Sequence, residues 1–158
     1  MKYKGQAVKG SNQEIIPIVR PDGDIIFIAE SIKDWTEFDK LVPEPEVPVR
    51  LKPGGVKVEV PSDPSYVKAI EAYGELKSHY LILASLEASE DVEWDTVDMS
   101  KPETWKNYIK ELKESDFSEI EISRITMGVM RANSLDENMI DEARNSFLRS
   151  RQVGEKST

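Results

Sequence analysis

The sequence predicts an α+β protein, on three observations. Two β-prone runs near the N-terminus are separated by Pro-Asp-Gly, a Pro- and Gly-rich stretch follows, and from Asp63 onward apolar residues recur at helical spacing between Ser-x-x-Glu boxes. The organisation expected is a small β-containing region over 1–41, an extended linker or arm over 42–62, a helical domain over 63–150 built as a bundle of about four helices, and a flexible tail over 151–158.

Within "EIIPIVRPDGDIIFIA", residues 14–29, the turn chemistry of Pro21-Asp22-Gly23 joins the two runs into a hairpin or small meander, with Pro17 confined to an edge because it cannot donate to a ladder. A lone two-stranded hairpin is marginal in water, so it must pack on something else. Ile32, Trp35, Phe38 and Leu41 then give one short amphipathic helix or turn. "VPEPEVPVRLKPGG", residues 42–55, should run close to polyproline II, since its prolines fix φ and remove donors. It reads as a spacer, although Pro45 and Pro48 also fit a P-x-x-P ligand. "VKVEV", residues 56–60, alternates like one more strand able to pair with the hairpin.

Asp63 is a plausible N-cap, with Pro64 at the first helical position, where its missing donor costs nothing. Ala69, Tyr73, Leu76, Tyr80 and Leu83 line the long helix that follows, which Gly74 weakens by roughly 1 kcal/mol relative to alanine. After the acidic, extended "ASEDVEWDTVDM", three capping boxes start at Ser100, Ser118 and Ser134, with Glu103, Glu121 and Glu137 three residues later. The faces expected are Trp105, Tyr108, Ile109 and Leu112; then Ile122, Ile125, Val129 and Met130; then Ile140, Ala143, Phe147 and Leu148.

Composition excludes several chemistries. With 39% apolar and 32% charged residues the chain can bury a core, and its apolar runs fall far short of the roughly 20 residues that span a bilayer. No apolar stretch follows the basic Met1–Lys4, so no signal peptide is expected. Without cysteine there are no disulfides or thiolate metal sites, and a net charge of −9 opposes nucleic-acid binding. The basic residues near the ends, Lys2, Lys4, Lys9, Arg144, Arg149, Arg151 and Lys156, read as solvated tails. His79 is the only imidazole and has no nucleophile or orienting acid placed by sequence, and the common hydrolase, phosphate-binding and zinc motifs are absent. Glu90, Asp91, Glu93, Asp95 and Asp98 lack the glycine of a calcium loop and read as a solvated acidic face. Trp35, Trp94 and Trp105 are too dispersed for a base-stacking platform and suit packing. No enzyme, no cofactor and no metal is expected. Edge strands and amphipathic helices are the usual means of capturing peptides and helices, and Tyr73, Tyr80, Trp105 and Phe147 are the partner-binding candidates.

"EPEVPVRLKPGG", "SDPSYVKAIEAYGELKSHYLILASL", "EWDTVDMSKPETWKNYIKELKESDFSEIEISRI" and "RANSLDENMIDEARNSFL" together resemble tail assembly chaperones, or related tail-morphogenesis proteins, of long-tailed bacteriophages. The resemblance spans roughly residues 42–148 and rests on the order of these segments. It implies a non-enzymatic protein of the host cytoplasm that binds the tape-measure protein and promotes assembly of tail-tube subunits around it, without nucleic acid or membrane and with room for a homo-oligomer. The alternative is a structural subunit of the virion, in the tail, neck or capsid surface.

Overall fold

The computed structural model describes residues 1–156. It is an α+β structure of three antiparallel strand pairs and five helices: β1 (Lys2–Tyr3), β2 (Gln6–Ala7), β3 (Gln13–Ile18), β4 (Ile25–Glu30), α1 (Thr36–Leu41), β5 (Val49–Leu51), β6 (Lys57–Glu59), α2 (Pro64–Leu86), α3 (Asn107–Glu114), α4 (Glu119–Ala132) and α5 (Glu137–Lys156). The chain forms two compact units, each discontinuous in sequence. The first comprises Met1–Ile32, Ser85–Val92 and the chain from Ser118 on; the second comprises Lys33–Ala84 and Glu93–Phe117. The boundaries expected at residues 41 and 62 do not coincide with these units. Helices α1, α3 and nearly all of α2 belong to the second unit, and α4 and α5 to the first.

In the first unit β3 pairs with β4 from Gln13↔Glu30 to Ile18↔Ile25. Gly23 N–H donates to the Arg20 carbonyl, closing the expected turn. Alternation puts Ile16, Ile18, Phe27 and Ala29 on one face, and all four are buried. Helix α4 packs on both strands. Its buried stripe is Ile125, Gly128, Val129 and Ala132, spaced by three and four residues. Met130, expected on that face, lies one residue off the stripe and is exposed. The approach requires Gly128, since a Cβ there would overlap Cγ1 and Cδ1 of Ile16.

Polar groups stitch the same unit together. The amide of Asn133 accepts from Ile32 N–H at 3.0 Å and donates to Ser85 Oγ at 2.8 Å and the Val129 carbonyl at 2.9 Å. Ser89 Oγ accepts from Ile28 N–H at 2.7 Å and donates to the Ile28 carbonyl at 2.8 Å, satisfying an edge of β4. The Asn12 amide donates to the last carbonyls of α4, those of Arg131 and Ala132. The box at Ser118 forms as the sequence predicts, with Ser118 Oγ accepting from Glu121 N–H at 3.2 Å and Glu121 accepting from Ser118 N–H at 2.8 Å. Arg20 also donates to the Glu121 carboxylate; that contact and the Ser118 amide hold the carboxyl down at about 2.

The other two boxes do not form. Ser100 donates its hydroxyl to Asp98 Oδ1, and only a 3-10 turn, Pro102–Thr104, precedes α3. Ser134 has φ +55°, whereas an N-cap needs extended backbone. It instead closes the C-terminus of α4, where Leu135 N–H reaches the Met130 carbonyl and Ser134 N–H the Arg131 carbonyl, the two bonds of a Schellman motif. Asp136 takes over as cap, accepting from Asn138 N–H at 3.1 Å. The same closure ends α3, with Asp116 left-handed at φ +61°.

In the second unit β6 pairs with β5 rather than with the N-terminal hairpin, so part of the stretch expected to be an extended arm is a strand. Pro53 and Gly54 supply the turn between them; Gly54, at φ +95°, sits where a type II turn demands glycine, and Gly55 N–H donates to the Lys52 carbonyl. Asp63 caps α2, accepting from Ser65 N–H at 2.9 Å and Tyr66 N–H at 3.3 Å. Phe38 of α1 is wholly buried at the centre of an aromatic core with Trp35, Tyr73, Tyr80 and Trp105, all at ring-centroid distances of 5.4–6.1 Å from it. The expected flexible tail instead continues α5 through Lys156, and Ser157 and Thr158 lie outside the described residues.

Glycine substitutions test this packing with opposite signs. Gly128→Ala should lower stability by about 1–3 kcal/mol through overpacking against Ile16, measured by urea unfolding, despite alanine's higher helix propensity. Gly74→Ala, where an added Cβ meets nothing within 4 Å, should instead stabilise by up to about 1 kcal/mol. For the α4–α5 corner, Asp136→Ala should cost about 1 kcal/mol through its lost cap, whereas Ser134→Gly should stabilise by relieving the left-handed strain.

Candidate functional site

The four partner-binding candidates separate. Trp105 is fully buried, with its Nε1–H donated to the Met99 carbonyl at 3.3 Å, and Tyr80 is 9% exposed against it at 5.3 Å. Both are core of the second unit and offer no surface in this conformation. Tyr73 is half-buried beside Phe38, at the margin of a groove of about 410 Å³ that Trp35, Gly74 and Lys77 also line. Lys77 lies over the Trp35 ring at 4.7 Å, so its aliphatic stem and charge already cover one aromatic face there.

Phe147 is different. It is 57% exposed on α5, a helix of 20 residues with no buried side chain. Met139, Ile140, Ala143 and Phe147 recur at spacings of one, three and four residues, which brings them to one stripe of the helix. Leu148 and Val153 are also exposed, to either side of it. Asp141 and Arg144 form an ion pair of 2.7 Å, and the Arg151 guanidinium lies 5.9 Å from the Phe147 ring. Helices of this length and polarity are marginal alone in water and draw most of their stability from packing an apolar face. Helix α5 has that face, with Ile140 half-buried and Met139, Ala143 and Phe147 exposed. Its periodicity was legible in the sequence; its lack of cover was not, because coverage is a tertiary property.

The residues considered for chemistry stay apart. His79 is half-buried in the second unit, its Nδ1 has no hydrogen-bond partner, and its ring meets Tyr108 edge-on at 5.7 Å. Burial lowers the His79 pKa and pushes the Tyr108 phenol up to about 12. Of the acidic run, Glu90, Asp91, Glu93 and Asp95 are exposed, while Asp98 is half-buried and accepts from Ser100 N–H and Oγ. No group of three or more carboxylate or imidazole residues among those described could hold a metal ion. Among the described residues, no helix is long and apolar enough to cross a membrane.

His79 gives a pH signature. The unfolded chain takes up the imidazole proton as pH falls through about 6.5, before the folded protein does. Stability should therefore be constant above that pH and fall below it, until the lowered folded pKa is passed. His79→Gln should remove this component, seen as a smaller difference in urea midpoint between pH 7.5 and pH 5.5.

Compared with family models, curated proteins and solved structures, the chain matches none of them.

Proposed function

We propose that this protein is a non-enzymatic assembly factor that captures a helical partner through α5, and that it acts as a phage tail assembly chaperone holding the tape-measure protein while tail-tube subunits assemble. One observation carries the reading. A 20-residue helix leaves Met139, Ala143 and Phe147 of its apolar stripe in solvent and Ile140 only half-buried, and laying such a stripe against another helix is a recurring mode of recognition. The first part of this helix, residues 137–148, also lies in one of the segments, residues 131–148, that resemble tail-assembly proteins. A client that is long, helical and prone to aggregate has many apolar stripes of the same kind. Its transient capture needs no catalytic group.

Co-expression with a tape-measure protein tests this. The wild-type chain should keep the client soluble and co-purify with it. Ile140→Asp with Phe147→Asp, both outside the packed cores, should abolish co-purification while leaving the circular dichroism spectrum unchanged. A client equally soluble with the variant, or this chain abundant in mature virions, would overturn the reading; the latter result would favour a structural subunit.

A further inference from the structure

We infer that the stripe on α5 is covered, when no client is present, by α5 of a second copy of this chain running antiparallel. Self-pairing rests on the exposed stripe and not on the identity of any client. Two features of the helix select this occupant and this direction.

The first is side-chain size. Ile140, Ala143, Phe147 and Ser150 occupy successive seam positions, spaced three, four and three apart. Large and small residues alternate along this seam. If two copies cross antiparallel at the level of Asn145, Phe147 of each falls opposite Ala143 of the other, and Ile140 opposite Ser150. Each large side chain then meets a small one. A parallel pair would instead set Phe147 against Phe147 and leave Ala143 against Ala143.

The second is charge. The first six residues of α5 carry Glu137, Asp141 and Glu142 and no basic residue, whereas the rest carries Arg144, Arg149, Arg151 and Lys156 against Glu155 alone. The order also suits the helix dipole, so by itself it would not name a partner. Combined with the seam it does, because the same antiparallel register that pairs large with small sets Glu137 beside Arg151 of the second copy, twice by symmetry. One like-charge approach results, Arg144 with its counterpart, and Asp141 already neutralises it within each helix at 2.7 Å. A parallel pair would place acid beside acid and base beside base along the whole length. Two helices about 30 Å long bury little area, so the dimer should be weak, dissociating on the order of micromolar. A longer helical client can then displace the second copy.

The chain has no cysteine, which makes single-cysteine cross-linking of the full-length protein clean. With a short bis-maleimide, Ser146→Cys should cross-link into dimers, because Ser146 flanks the crossing point and meets its own copy. Ser150→Cys should not, because Ser150 lies opposite Ile140, and ten residues of helix put the two thiols about 15 Å apart. Sedimentation equilibrium should show a reversible monomer–dimer system. Arg151→Glu should weaken association about tenfold, and either mixing it with Glu137→Arg, which pairs opposite charges in the heterodimer, or combining Glu137→Arg with Arg151→Glu in one chain should restore it. Cross-linking through Ser150→Cys in place of Ser146→Cys would overturn the antiparallel arrangement. A monomer at all concentrations would overturn the pairing, as would binding of α5 to anionic lipid vesicles without self-association. A monomer that still solubilises the client would overturn the dimer and leave the proposed function standing.

Discussion

The first unit depends on one close approach, that of Gly128 on α4 to Ile16 on β3. A two-stranded hairpin cannot hold itself together in water, and β3–β4 has a face of Ile16, Ile18, Phe27 and Ala29 to bury. Helix α4 supplies the cover, but only because a residue without a side chain lets its backbone come down onto the isoleucine. Val129 and Ile125 can then fill the space on either side. The asparagine at the end of the helix ties Ile32 and Ser85 to the same assembly. Each of these polar contacts presupposes that the helix is already seated.

The second unit is organised differently. Its centre is Phe38, on a six-residue helix too short to be stable alone, and the surrounding rings supply the burial that the short helix lacks. Glu111 on α3 then binds the acidic connection by accepting from Thr96 N–H at 3.3 Å and Thr96 Oγ1 at 2.9 Å. One acidic residue is thus spent on holding the otherwise extended segment in place.

Local chemistry was readable where the residues that decide it are neighbours in sequence. Pro21-Asp22-Gly23, Asp63-Pro64 and Ser118-x-x-Glu121 each specify a turn or a helix start without help from the rest of the chain. Ser134 shows where this stops. Its side chain suits an N-cap, but the backbone there is committed to finishing the preceding helix, and a four-residue pattern carries no record of that competition. Gly128 was illegible for a related reason: a glycine inside a helical pattern signals only weakness until the partner surface is known. The candidate site divides in the same way. The aromatic size of Tyr80 and Trp105 suggested contact but served the core, whereas Phe147 has the same character and is exposed. Sequence could not separate them, since it gives periodicity and not coverage.

The interleaving of the two units has a consequence for how the chain comes into being. Ile16 emerges from the ribosome more than a hundred residues before Gly128, so at ordinary elongation rates the hairpin waits on the order of ten seconds for its cover. During that interval its apolar face and both strand edges are open to any neighbour, including other nascent chains on the same message. Long-range closure of this kind is slow relative to local helix formation. Helix α2 and the aromatic groups around Phe38 can therefore consolidate while the N-terminal part is still searching. Birth order thus runs opposite to completion order: the segment made first is among the last to be finished.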